Sequence, residues 1–143
     1  MGGVVVGANP ESELLAALLV GEAQVQVQSM RGSRQIPLAD FLRDVPAALN
    51  GGLVTAVSLA TGGKAASARV ARTPVDTPIV AAVARQDTNG QLHLALCGVA
   101  ATPVLIEPDA VAGLNPPADF RGSSEYRRQM AQTLAARVVA ELN

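Results

Sequence analysis

The period of the hydrophobic positions changes several times along this 143-residue chain, and each change outlines an element. Residues 11–20 place the apolar run LLAALLV behind Glu11 and Glu13 and predict a short helix. Pro10 suits its start, the two acids suit the positive end of its dipole, and Gly21 ends it. The stretch EAQVQVQSM then alternates strictly. Ala23, Val25 and Val27 fall on one face and Gln24, Gln26 and Gln28 on the other, the pattern of a half-buried strand. RGSR (31–34) reads as a turn, and QIPL as a short returning strand whose Pro37 suits an edge or a strand end. LADFLRDVPAAL predicts one short helix with Leu38, Phe41, Leu42 and Val45 on one side. Gly51-Gly52 break the chain before LVTAVSLA (53–60), a strand rich in β-branched residues.

TGGK (61–64) is a Gly pair between two periodic segments, so we divide the chain there into 1–63 and 64–143. Beyond it, AASARVAR reads as a strand. TPIVAAVARQ and QLHLALCGVA flank DTNG, and Asn89-Gly90 is a hairpin signal. TPVLI adds a short third strand. Ile79–Val83 is apolar on both faces, which predicts cover on both sides, by a helix and by the other half of the chain. EPDAVAGLNPPADFRG reads as a loop with one helical turn. Ser123 to Leu142 predicts the longest helix, with Ser123 as N-cap and Glu125 in the first turn. Tyr126, Met130, Leu134, Val138 and Leu142 recur every four residues as its apolar stripe. Arg127, Arg128, Gln129, Gln132 and Glu141 are assigned to the opposite side. The fold class that follows is α+β, with small antiparallel sheets packed against helices.

Composition narrows what such a fold can do. Aromatic residues make up 2% of the chain, so its core is built from Ala, Val, Leu and Ile. The net charge is −1, and Phe41, Phe120 and Tyr126 are scattered; neither a basic stripe nor a stacking platform for nucleic acid is present. The apolar run Leu14–Val20 is too short to span a bilayer, which argues against a membrane partner. One cysteine excludes an intrachain disulfide and a Cys-based metal site and favours a cytoplasmic location.

Candidate chemistry is sparse. His93, the only histidine, sits in an alternating strand and reads as solvent-facing, with no G-x-S-x-G elbow to complete a triad. Cys97 reads as a small buried hydrophobe rather than a thiolate. Glu11/Glu13 and Asp40/Asp44 lack further ligands, so no metal site and no catalytic residue are assigned. Gly2, Gly3 and Gly7 lack the spacing of a dinucleotide-binding loop, and no Gly-Lys-Ser/Thr is present. On composition alone the opening is a flexible start plus a turn.

Four segments in series carry more. These are GG…NPESELLAALL, ARVARTPVDTPIVAAVA, CGVAATPVLI and RGSSEYRRQMAQTLAARVV. Together the chain resembles the FAD-binding subunit of molybdenum hydroxylases, the carbon monoxide dehydrogenase and xanthine dehydrogenase family. The resemblance covers nearly the whole chain. It implies that residues 1–63 correspond to the end of the second FAD-binding subdomain, and residues 64–143 to the family's C-terminal domain. The N-terminal pyrophosphate-binding part of the family is not represented. It further implies FAD as cofactor, bound weakly or not at all by the isolated chain, and a molybdenum-cofactor subunit and an iron–sulfur subunit as partners. In such enzymes electrons pass from the molybdenum cofactor through two [2Fe–2S] clusters to FAD.

Carried over residue by residue, the resemblance assigns Gly2 and Gly3 to a Gly-Gly-Asn turn, with Val4 in place of its Asn. Ser12 and Glu13 fall in a P-x-S-D-L motif, Glu13 standing where the family has Asp. Val54 matches an apolar contact to the flavin ring. Arg69 stands where a Lys or Arg approaches the flavin; an exposed strand-end charge is the other reading of it. The connection Asp109–Pro117 is shorter than the family's. The implied role is the flavin-ring side of the site plus subunit docking. A cofactor-free structural module that forms a homo-oligomer is the alternative, favoured by Val4.

Overall fold

The computed structural model describes residues 1–143. Two antiparallel sheets and five α-helices make up the fold, in line with the α+β expectation. The first sheet has the order β2-β1-β3, from β1 (Gln24–Ser29), β2 (Gly32–Pro37) and β3 (Leu53–Ser58). The second has the order β4-β5-β6-β7, from β4 (Lys64–Val70), β5 (Val80–Gln86), β6 (Leu92–Cys97) and β7 (Val104–Leu105).

The helix α2 (Glu13–Val20) lies between the two sheets. Its Leu15, Leu18 and Leu19 share one buried cluster with Val25 and Val27 of β1 and with Ala81, Val83, Ala95 and Cys97 of the second sheet. The C-terminal helix α5 (Ser124–Leu142) covers the other face of the second sheet, where Ala131, Leu134 and Val138 meet Val80, Ala82, Leu94 and Leu96. Both faces of the apolar arm 79–83 are therefore covered, as its sequence requires. Each buried Leu or Val side chain contributes about 1.5–3 kcal/mol of apolar transfer free energy. Phe41 is the only aromatic residue in the core.

Several expectations need correction. Gly2–Gly7 forms a short helix, α1, rather than a flexible start and turn. Glycine opposes helix, but Val5 is completely buried in the first cluster, and that packing outweighs propensity. The turn predicted at 31–34 is confined to Met30–Arg31. β2 begins at Gly32, and its six residues pair in register from Ser29↔Gly32 to Gln24↔Pro37. Pro37 does end this edge strand. The single helix predicted over 38–49 is two, α3 (Leu38–Phe41) and α4 (Val45–Leu49). Inside one continuous helix Pro46 would crowd the Leu42 carbonyl and lack an N–H to bond it, whereas the first turn of α4 tolerates it, and the Asp44 side chain caps α4 by accepting the Ala47 N–H at 3.0 Å.

In α5, Ser123 is the N-cap as expected, its Oγ accepting the Tyr126 N–H at 3.1 Å. The expected apolar stripe is buried at Leu134, Val138 and Leu142, half-buried at Met130 and exposed at Tyr126. Four-residue steps turn about 40° too far each time, so a strict four-residue stripe winds around the helix. The buried face alternates threes and fours through Arg127, Ala131, Leu134, Ala135, Val138 and Leu142, while Tyr126 is exposed and Met130 half-buried. Arg127, assigned to the solvent side, is 3% exposed.

The step between the sheets, Gly62-Gly63, is tied down from both sides. Gly63 has φ +83°, and a Cβ there would lie 2.1 Å from the Gln86 carbonyl oxygen, so no other residue fits. Arg85, buried in β5, donates to Gly62 O at 3.1 Å and to Val20 O at the end of α2 at 3.2 Å.

Candidate functional site

Four of the six residues that the resemblance assigned line one cleft of about 560 Å³. Gly3 and Gly7 of α1 form its floor, and the segment Asn9–Glu13 contributes one wall. Arg69 near the end of β4 and the loop Val75–Pro78 form the other. A Cβ at Gly3 or Gly7 would meet nothing within 4 Å, so the helix backbone faces open space there. Gly2 and Val54 lie beside the cleft. Gly2 points at β3, its missing Cβ 4.0 Å from Val54 Cβ, and half-buried Val54 packs on the first core cluster.

Local sequence explains the Asn9–Glu13 wall. The Asn9 side chain accepts the Glu11 N–H at 2.9 Å, its carbonyl accepts the Ser12 N–H, and Ser12 Oγ accepts the Leu15 N–H at 3.2 Å. Ser12 is thus the N-cap of α2, and its hydroxyl oxygen is occupied by that bond. Glu13, the first helical residue, projects toward Arg69. Arg69 Nη1 lies 3.0 Å from Glu13 Oε2, and Nη2 donates to the Asp76 carbonyl. Arg69 is therefore a paired cation, and it is also an exposed charge near the end of β4.

The wall is bolted to the second sheet. The Gly98 N–H donates to Pro10 O at 2.7 Å. Arg121 pairs with Glu11 and, at 3.6 Å, with Asp119. Asp119 Oδ2 accepts from Arg127 Nη2 at 2.7 Å, while Arg127 Nη1 donates to the Ile79 and Gly98 carbonyls at 2.7 and 2.8 Å. The Arg127 hydrogen bond holds the Asp119 carboxyl below the usual carboxylate range. None of this chain of contacts was foreseen, because Arg127 reads as a surface residue in an amphipathic pattern. The loop 72–78 was also missed as a cleft wall. Its clustered Thr, Pro and Asp signal a turn but give no direction.

Charge sets what the cleft accepts. Its lining carries Glu11, Glu13 and Asp76 against the single cation Arg69. Each of these carboxylates is paired, Glu11 with Arg121, Glu13 with Arg69 and Asp76 with Arg72 at 3.6 Å, so the cleft offers no unpaired cation to a pyrophosphate. The glycine floor, Val4 and the exposed Val75 suit a flat, uncharged ring, with Arg69 and the Asn9 segment offering polar contacts at its edge. Below the cleft, Cys97 is fully buried, and burial pushes its thiol up to about 12, as a small buried hydrophobe requires. His93, expected to face solvent, is only 12% exposed and lies against Glu22 and Asp87.

Residues 1–60 match the family described as the FAD binding domain in molybdopterin dehydrogenase. The chain is 29% identical to the 6-hydroxypseudooxynicotine dehydrogenase complex subunit alpha of Paenarthrobacter nicotinovorans, over 99% of this chain and 58% of that protein. Among solved structures, carbon monoxide dehydrogenase from Hydrogenophaga pseudoflava superposes with a TM-score of 0.86 at 19% identity, over 99% of this chain and 59% of that one. Quinoline 2-oxidoreductase from Pseudomonas putida 86 gives 0.81 at 21%, with the same coverage. At these identities the structural matches establish the fold. The chain spans about three-fifths of the length of the proteins it matches. Residues 1–60 are thus similar to the FAD binding domain in molybdopterin dehydrogenase, and the whole chain has the fold of the carbon monoxide dehydrogenase chain on which it superposes.

Proposed function

We propose that this chain forms the flavin-ring side of the FAD site in a molybdenum-hydroxylase-type oxidoreductase. The observation that carries this reading is the cleft itself. A glycine floor open to a ring is combined with one lining arginine, already paired to Glu13, and no unpaired cation where a diphosphate would need one. FAD supplies the electron-transfer chemistry when bound; the chain supplies position and electrostatics. Arg69 and Glu13 orient the polar edge of the ring, Gly3 and Gly7 admit its face, and Val54 acts through Gly2 by supporting α1. Ser12 serves as a positioning residue because its hydroxyl holds the α2 N-terminus. Residues 1–63 and 64–143 act as a ring-side unit and a C-terminal unit. The partners in this reading are a molybdenum-cofactor subunit and an iron–sulfur subunit, docked on the C-terminal unit, in the cytoplasm.

A titration of the tag-free chain with FAD and with riboflavin, followed by quenching of flavin fluorescence, tests it. The two ligands are expected to bind weakly and within about threefold of one another, because the cleft gains nothing from the diphosphate. Arg69→Ala is expected to weaken both. FAD binding more than about tenfold tighter than riboflavin would overturn the ring-side assignment. The internal pairing of Arg69 with Glu13 favours one other reading, a cofactor-free module that assembles as a homo-oligomer. Absence of binding by either flavin, with a dimer or larger species in sedimentation, would select it.

A further inference from the structure

Glu22, Asp87 and His93 come from three elements and meet at the seam between the sheets, away from the flavin cleft. Glu22 joins α2 to β1, Asp87 opens the β5–β6 loop, and His93 lies in β6. His93 Nε2 is 3.9 Å from Glu22 Oε2 and 3.9 Å from Asp87 Oδ2, and the three donor atoms lie within 4.8 Å of one another. Those separations exceed a hydrogen bond, so no carboxylate satisfies the imidazole. Nε2 is nevertheless buried and has no hydrogen-bond partner, a condition that buried polar atoms rarely keep.

We propose that Glu22, Asp87 and His93 bind one divalent cation of the Zn²⁺ class, which pins the end of α2 to the β5–β6 hairpin. One imidazole nitrogen and two carboxylate oxygens form a borderline donor set that selects such a cation over Mg²⁺. Tetrahedral Zn²⁺ with bonds of about 2.1 Å holds its donors about 3.4 Å apart, so each carboxylate needs to move by up to about 0.7 Å to close all three separations. Asp87 is prepared for this. Its Oδ1 accepts the Asn89 and Gln91 N–H groups at 2.8 and 2.9 Å, which leaves Oδ2 for the metal. Glu22 is 51% exposed and free to adjust, and its side leaves the fourth position for water. Arg85 Nη1, 3.6 Å from Glu22 Oε2, is the competing cation. It is already held by the Gly62 and Val20 carbonyls, so it does not depend on Glu22.

Isothermal titration of the tag-free, chelator-treated chain with Zn²⁺, together with thermal unfolding, tests the site. One Zn²⁺ per chain is expected, with a raised melting temperature and no comparable response to Mg²⁺. His93→Gln and the exposed Glu22→Gln are each expected to weaken binding at least about tenfold while far-UV circular dichroism is unchanged. Glu22→Gln keeps the test valid should His93→Gln fail to fold. No Zn²⁺ binding up to about 1 mM, equal affinity for Mg²⁺, or unchanged affinity in a folded variant would overturn the proposal. None of these outcomes depends on flavin binding.

Discussion

Arg69 and Glu13 are 56 positions apart in sequence, yet the guanidinium and carboxylate meet at 3.0 Å across the seam between the two sheets. The pair joins the first turn of α2 to the end of β4 at the mouth of the cleft. Both side chains are about one-third exposed, so solvent screens the interaction. A double-mutant cycle with Arg69→Ala and Glu13→Gln, read by urea denaturation, is expected to give a coupling of about 0.2–1 kcal/mol. A coupling above about 3 kcal/mol would place the pair among buried ion pairs and give it a structural rather than a ligand-facing role.

Arg127 is expected to behave oppositely. It is buried, and its removal takes a donor from Asp119 Oδ2 and from the Ile79 and Gly98 carbonyls. Arg127→Met is expected to cost about 3–5 kcal/mol in chemical denaturation. Arg127→Lys is expected to recover only part of this, because an ammonium cannot reproduce the planar fork. A loss below about 1 kcal/mol for Arg127→Met would refute the clamp.

The same clamp makes stability depend on pH. Asp119 has its folded-state pKa lowered, first by the Arg127 hydrogen bond. Its contribution is therefore complete above the unfolded carboxyl value of about 4 and is lost as pH falls through the lower folded value. Asp87 has the same sign, first because of the Gln91 N–H. Melting temperature is expected to fall below about pH 4, and less steeply in Asp119→Asn. An identical acid limb in the variant would remove Asp119 from the account.

Cys97 is expected to be inert. Its thiol titrates near 12 and its side chain has no exposed surface, so a thiol reagent at pH 8 has neither thiolate nor access. One equivalent is expected to react only after denaturation. Rapid labelling of the native chain would show that the α2–second-sheet contact opens readily.

Local signals carried most of the fold. Alternation at 23–28 placed β1 with its valines inward, Asn89-Gly90 marked the β5–β6 hairpin, and Ser123 marked the start of α5. Each depends on neighbours within a few residues, which a sequence displays directly. The misread elements are those where distant atoms decide. Gly2–Gly7 is helical because Val5 is buried against the first core cluster. Arg127 is interior because three acceptors from 8 to 48 residues away surround its guanidinium.

The candidate site divides in the same way. Motif order along the chain identified Gly3, Ser12, Glu13 and Arg69, and the cleft gathers all four. The chain by itself determined the periodicities, the caps and the turns, because these follow from backbone sterics and short-range hydrogen bonds. Tertiary structure alone decided that Glu13 answers Arg69. It also placed His93, expected in solvent, between Glu22 and Asp87. Those outcomes depend on which charges the packing of α2 between two sheets brings within a few ångströms, a distance that sequence separation does not encode.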